Sequence, residues 1–165
     1  MFIMRKKAMI AVFPIRYRNN NLEFLLIKRA TLSYNWQWVT GSIEKGENSL
    51  EGAKRELMEE TGYNPALIIP FTIPLEFYTN PEEADLILWK ETGQKIRKLQ
   101  KIIKRQIIYH FLVRIDELQD PVLNPTEHTD WKWCGYETAF KIILWIGEKK
   151  ILKYTHNYLI ENPLI

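Results

Sequence analysis

The chain has 165 residues, the size of one domain, with 46% hydrophobic and 26% charged residues, which excludes a disordered chain and a collagen-like fibre. A lone cysteine, Cys134, excludes an internal disulfide framework and cannot by itself build a zinc site. The net charge of +3 is too small to argue for a nucleic-acid partner, and the longest fully apolar run, 8–13, is far below the ~18 residues of a membrane span.

Arg5, Lys6 and Lys7 precede an apolar stretch, as in a signal peptide. Pro14, Arg16 and Arg18 interrupt it early and no small-residue cleavage site follows, so a cytoplasmic protein is expected. Residues 7–17 are rich in strand formers and predict a strand, 22–29 a second, and Asn19-Asn20-Asn21 a hairpin turn between them. Residues 36–40 read as a short strand ending at Gly41. Residues 50–61 read as a helix, with Asn48 as N-cap, Glu51 three residues on as a capping box, and Gly62 as the stop. Residues 67–78 are extended and broken by Pro70 and Pro74.

The stretch 80–105 opens with Glu82, Glu83 and Asp85 and closes with Lys95, Arg97, Lys98, Lys101, Lys104 and Arg105. Ile96, Leu99 and Ile103 have helical spacing, which predicts an insertion that is partly a basic amphipathic helix. Strands follow at 106–116 and 128–133. The tail, 137–162, reads as one or two helices with Gly147 as the break. This order predicts a single α/β domain over 1–165, a sandwich around a mixed sheet.

Charge is unevenly spread. Six of the 20 acids but only three of the 23 bases lie between Gly41 and Tyr63. An acidic cluster in a basic chain suggests a cation site facing an anionic substrate. On a helix, Glu56, Glu59 and Glu60 stand at i, i+3 and i+4 and share one face, beside an apolar stripe of Leu50, Ala53 and Leu57. Three carboxylates that close repel one another, and the face makes physical sense when a hard cation, Mg²⁺ or Mn²⁺, sits on it. A solvated acidic face is the alternative for the three glutamates alone. Gly52, one turn before Glu56, is expected to leave room for a ligand. Gly46 allows the tight turn into the helix, a carbonyl near Gly41 can add a ligand, and Glu47 can lock onto Arg55. The chemistry implied is metal-assisted attack of water on phosphorus.

The whole segment resembles the Nudix box, G-x5-E-x7-R-E-U-x-E-E-x-G-U with U a bulky aliphatic. It matches at Gly41, Glu47, Arg55, Glu56, Leu57, Glu59, Glu60 and Gly62, with aromatic Tyr63 as the one departure. The resemblance implies an α/β/α sandwich with a central mixed β-sheet and a Mg²⁺- or Mn²⁺-dependent pyrophosphohydrolase. It also implies Glu56, Glu59 and Glu60 as metal carboxylates, Gly41 as a carbonyl ligand, and Arg55 with Glu47 as a structural pair. A further carboxylate from a later loop is common in the family. Glu127, in an E-H-x-x-x-x-W segment ending at Trp133, is that candidate, as ligand or general base. Glu59 is the other candidate base, and His128 reads as a loop hydrogen-bonder.

Trp36-Gln37-Trp38-Val39-Thr40-Gly41-Ser42 resembles the approach to the box in dihydroneopterin triphosphate pyrophosphohydrolases, which also cleave dATP-like triphosphates. The expected partner is therefore a nucleoside or pterin triphosphate, with Arg29, Lys7 and Thr40 as phosphate contacts. Trp36, Trp38, Tyr34 or Trp89 would stack on its ring. A diadenosine polyphosphate hydrolase, an RNA-directed or decapping-like protein and a catalytically silent sensor are the alternatives. Oligomeric state is left open.

Overall fold

The structure, a computed structural model, describes residues 7–31, 35–74 and 106–165. Tyr34, Trp89, the predicted insertion at 80–105 and residues 75–78 of the predicted extended stretch lie outside them.

Strands β1 (Lys7–Arg18) and β2 (Asn21–Arg29) form the predicted hairpin, in register from Ile15 opposite Phe24 to Arg18 opposite Asn21. Asn19 (φ 51°) and Asn20 (φ 63°) make its turn. Two left-handed residues give the type I′ geometry whose twist suits a tight hairpin, and Asn tolerates that region. Beyond the hairpin the two strands part. The fork between them holds β3 (Trp36–Gln37), paired with β2, and β4 (Val39–Ser42), paired with β1. The single strand predicted to end at Gly41 is thus two short ones, and β4 runs through Gly41. The chain changes partner at Trp38.

The other edge of β1 pairs in parallel with β6 (Gln106–Arg114), which pairs antiparallel with β5 (Ile69–Phe71). The outer edge of β2 carries β7 (His128–Cys134). The sheet is mixed, as expected.

Alternation along the central strands supplies two cores, since a strand buried on both faces is apolar at successive positions. Ile10 and Val12 of β1, Leu25 and Ile27 of β2 and Val113 of β6 pack with Ala53 and Leu57 of helix α1 (Ser49–Thr61). Ala11, Phe13, Ile15, Phe24, Leu26 and Leu112 face the opposite way. They pack with Ala139 of α2 (Tyr136–Ile142) and Ile151, Leu152 and Leu159 of α3 (Ile146–Glu161). The result is an α/β/α sandwich. Leu50, the third member of the predicted stripe, is instead 37% exposed, because the first turn of α1 overhangs a shallow cleft beside Phe71 and Tyr109. The tail breaks at Ile143 rather than Gly147, which lies in the first turn of α3. Ile143 is extended (φ −67°, ψ 128°) because its buried side chain ties the chain to the core. Among the described residues no helix is long and apolar enough to cross a membrane.

Helix α1, which carries the acids, is delimited locally. The Asn48 side chain accepts from the Glu51 N–H at 2.9 Å, and the Glu51 carboxylate accepts from the Asn48 N–H at 2.8 Å. Gly62 (φ 75°) closes the other end, its N–H donating to the Met58 carbonyl at 2.8 Å. Asn48→Ala is expected to cost about 1 kcal/mol of stability, read as a lowered midpoint in urea with an unchanged slope. A midpoint equal to wild type would count against the cap.

Candidate active site

The loop before α1 and its middle turn are joined through one guanidinium. Arg55 Nε donates to Glu47 at 2.6 Å, and Nη2 donates to Glu47 at 3.1 Å and to the Ser42 carbonyl at 2.8 Å. Its Nη1 donates to Glu56 at 2.8 Å and to Glu59 at 3.2 Å. The expected Glu47–Arg55 contact is present, and the same guanidinium also holds Glu56 and Glu59. The fork of donors lets Arg55 serve four acceptors at once. The Arg55 hydrogen bond, helped by the Glu44 N–H, holds the Glu47 carboxyl below its usual range. Gly46 (φ +88°) turns the chain into the helix.

Glycines define the floor of the site. The Glu56 carboxylate folds onto Gly41, where an added Cβ would fall 2.0 Å from its carboxyl carbon. Only glycine at 41 leaves Glu56 that seat. Gly52 does not open ligand space as expected. A Cβ there would meet Glu47 Oε2 at 3.2 Å, then Ile43 and Ile10, so its bare backbone lets α1 lie close on the sheet.

Glu60 lies deeper, 4% exposed, and accepts from the Thr40 backbone N–H. Its Oε2 has no hydrogen-bond partner among the described residues. Burial first, then the charges of Glu56 and Glu127, push its carboxyl up to about 9. Burial likewise raises Glu56, against the opposing pull of Arg55. Glu59 remains on the exposed side of the helix.

The start of β7 brings the fourth carboxylate. The backbone N–H groups of Glu127 and His128 donate to the Asn124 carbonyl at 3.1 and 2.9 Å, and the Glu127 carbonyl accepts from Ala30 at 2.8 Å. Glu127 is exposed, whereas His128 is buried and stands opposite Arg29 in the ladder. Ligand atoms of Glu60, Glu127 and His128 lie within 4.8 Å of one another. Burial lowers the His128 imidazole below its usual range, and its Nδ1 has no partner among the described residues. His128 therefore belongs to the cluster, a place that its reading as a loop hydrogen-bonder missed. The sequence signal was its position at the head of a strand, directly after Glu127.

The expected substrate contacts divide. Arg29, exposed at the end of β2, is close enough for its charge to act on both Glu60 and His128. Thr40 meets the site through its backbone N–H. Lys7 is placed opposite Gln106 at the start of β1, with its side chain outside the description. Trp38 is a correction: it is 4% exposed with its ring 4.7 Å from that of Phe13, a core residue unavailable for stacking. The partner switch at Trp38 turns that indole inward. Trp36 is only half-buried, and the Lys28 and Lys132 ammonium groups each stand 5.7 Å from its ring centre. The two lysines were not anticipated, because they meet Trp36 only through the registers of β2 with β3 and β7.

A sheet between helices, with one helix delivering carboxylates toward Glu127 and His128 at the head of β7, defines an α/β/α sandwich domain built around an acid-lined site. A family model described as the NUDIX domain matches residues 7–155. The chain belongs to the Nudix family and is a hydrolase of that family. Among curated relatives it is similar to the bis(5′-nucleosyl)-tetraphosphatase [asymmetrical] of Rattus norvegicus, 24% identical over 88% of this chain and 86% of the relative. It is also similar to an RNA pyrophosphohydrolase of Pelagibacter ubique, 30% identical over 76% of each. Among solved structures, a C. elegans Ap4A hydrolase binary complex superposes with a TM-score of 0.68 at 22% identity, over 94% of this chain and 98% of that one. The E. coli dihydroneopterin triphosphate pyrophosphohydrolase gives 0.56 at 19% identity, over 91% and 96%.

Proposed function

We propose that the protein is a Mg²⁺- or Mn²⁺-dependent pyrophosphohydrolase whose substrate is a dinucleoside polyphosphate. The observation that carries the metal is the orphaned, buried Oε2 of Glu60 inside a ring of further acids. A buried carboxylate oxygen with no hydrogen-bond partner among the described residues calls for one, and hard oxygen donors fit a small divalent cation. Glu56, Glu60 and Glu127 hold it, with Glu59 at the rim and the Gly41 carbonyl as a further donor. When bound, the cation neutralises charge on the phosphates and activates water.

This chain's own groups do the rest. Arg55 and Glu47 keep the loop against α1 so that Glu56 stays over Gly41. Glu127, exposed at the head of β7, has a second carboxylate oxygen besides the one it would give to the cation, and that oxygen takes the proton from the attacking water. Arg29 neutralises charge that develops on the departing phosphate. A polyphosphate with a base at each end needs cations and a flat surface beyond the cleavage point, and Lys28, Lys132 and Trp36 supply both.

The dinucleoside reading replaces the pterin triphosphate as the first choice because the rat tetraphosphatase aligns over nearly the whole chain. The Pelagibacter relative supports a second reading, removal of pyrophosphate from an RNA 5′ end. Product analysis with Mg²⁺ tests both, against diadenosine tetraphosphate, 5′-triphosphorylated RNA, dihydroneopterin triphosphate and dATP. Diadenosine tetraphosphate is expected to give ATP and AMP with kcat/KM at least ~10-fold above the pterin, the scale of discrimination that pocket contacts provide. Faster release of pyrophosphate from RNA, or from the pterin, would overturn the dinucleoside reading.

A further inference from the structure

The acid cluster contains one donor that is not oxygen. His128 is 4% exposed, and a ring nitrogen lies within 4.8 Å of carboxylate oxygens of both Glu60 and Glu127. Its place is set by the sheet, through pairing opposite Arg29 and a backbone bond to the Asn124 carbonyl. Two buried polar atoms in this cluster, His128 Nδ1 and Glu60 Oε2, have no partner among the described residues. Leaving a buried polar atom without a partner is unfavourable. Each of these two clustered residues thus keeps a buried polar atom open to a further partner.

We infer that His128 supplies an imidazole nitrogen to the cation held by Glu60 and Glu127, which biases the site toward Mn²⁺ or another first-row transition ion over Mg²⁺. Mg²⁺ takes oxygen and water, whereas imidazole favours transition ions increasingly along the first row. An imidazole among the carboxylates therefore separates Mn²⁺ from Mg²⁺ where an all-oxygen site separates them less. The inference rests on the metal role proposed for Glu60 and Glu127, and the experiment distinguishes the two.

Metal-depleted full-length protein is titrated with Mn²⁺ by electron paramagnetic resonance and with Mg²⁺ by competition, for wild type, His128→Gln, His128→Asn and Glu60→Gln. Pulsed measurements on bound Mn²⁺ detect directly coordinated nitrogen. Wild type is expected to show a nitrogen coupling that changes when its histidines carry ¹⁵N and vanishes in both His128 variants. In those variants Mn²⁺ affinity is expected to fall about 10-fold, with Mg²⁺ affinity unchanged. Mn²⁺ bound through Glu60 without any histidine coupling would overturn the nitrogen ligand while leaving the oxygen site standing. Equal loss of both metals in the His128 variants, with no coupling in wild type, would make His128 a positioning residue and overturn the inference. Mn²⁺ binding indifferent to Glu60→Gln would overturn the inference together with the metal site. If the His128 variants fail to fold, the labelled wild type alone decides.

Discussion

Glu60→Gln is expected to lower turnover by at least ~100-fold, the scale of losing a preorganised charge partner, while raising the stability of metal-free protein at alkaline pH. The two effects share one cause. Glu60 is buried among acids, and its carboxyl is pushed up to about 9 in the folded chain. An unfolded glutamate titrates near ~4.3. The folded state therefore binds the proton more tightly than the unfolded state. Its contribution to stability is intact below the unfolded value and declines as pH rises toward 9. In the presence of EDTA, wild type should lose thermal stability between about pH 5 and pH 9 relative to Glu60→Gln. Mg²⁺ should restore it in wild type and do little for the variant, because binding to the native state stabilises by mass action. Thermal melts across this range, with and without Mg²⁺, check the sign. Near-full turnover, or a Mg²⁺-induced shift in the variant equal to that of wild type, would remove Glu60 from the metal site.

What was legible in the sequence is what is determined locally. Helix α1 was readable end to end because Asn48, Glu51 and Gly62 satisfy its termini from within the same segment. The β1–β2 hairpin was readable because two adjacent asparagines accept positive φ. The acids were readable because the helical period puts them on one face, yet their inequality was not. Glu60 is buried and Glu59 exposed only because α1 lies on β1 and β4 at a particular rotation. The same limit explains the two indoles. Trp36 and Trp38 are two residues apart and look alike in the sequence, but the partner change between β3 and β4 sends Trp38 into the core and leaves Trp36 beside Lys28 and Lys132. Gly147 misled for a related reason. Glycine weakens a helix intrinsically, but the break went where burial of Ile143 demanded extended backbone.

Arg55→Ala is expected to destabilise the protein and to reduce kcat by about 100-fold through misplacement of the catalytic loop. Glu56 keeps only 13% of its side chain exposed, so removing the guanidinium leaves that carboxylate where water compensates poorly. It also strips the Ser42 carbonyl of its donor and frees the loop that presents Gly41. Arg55→Lys retains the charge but not the planar fork. One ammonium cannot satisfy Glu47, Glu56, Glu59 and Ser42 together, so about a 10-fold loss in kcat is expected from the lysine variant. The decisive comparison is a double-mutant cycle with Glu47→Ala. If Arg55 acts chiefly by latching the loop, the two single variants lose much the same thing, and the double variant is only slightly worse than either. Additive losses in kcat would mean that Arg55 acts on the reaction independently of Glu47. The latch would then be incidental, and the contacts of Nη1 with Glu56 and Glu59 would carry the effect.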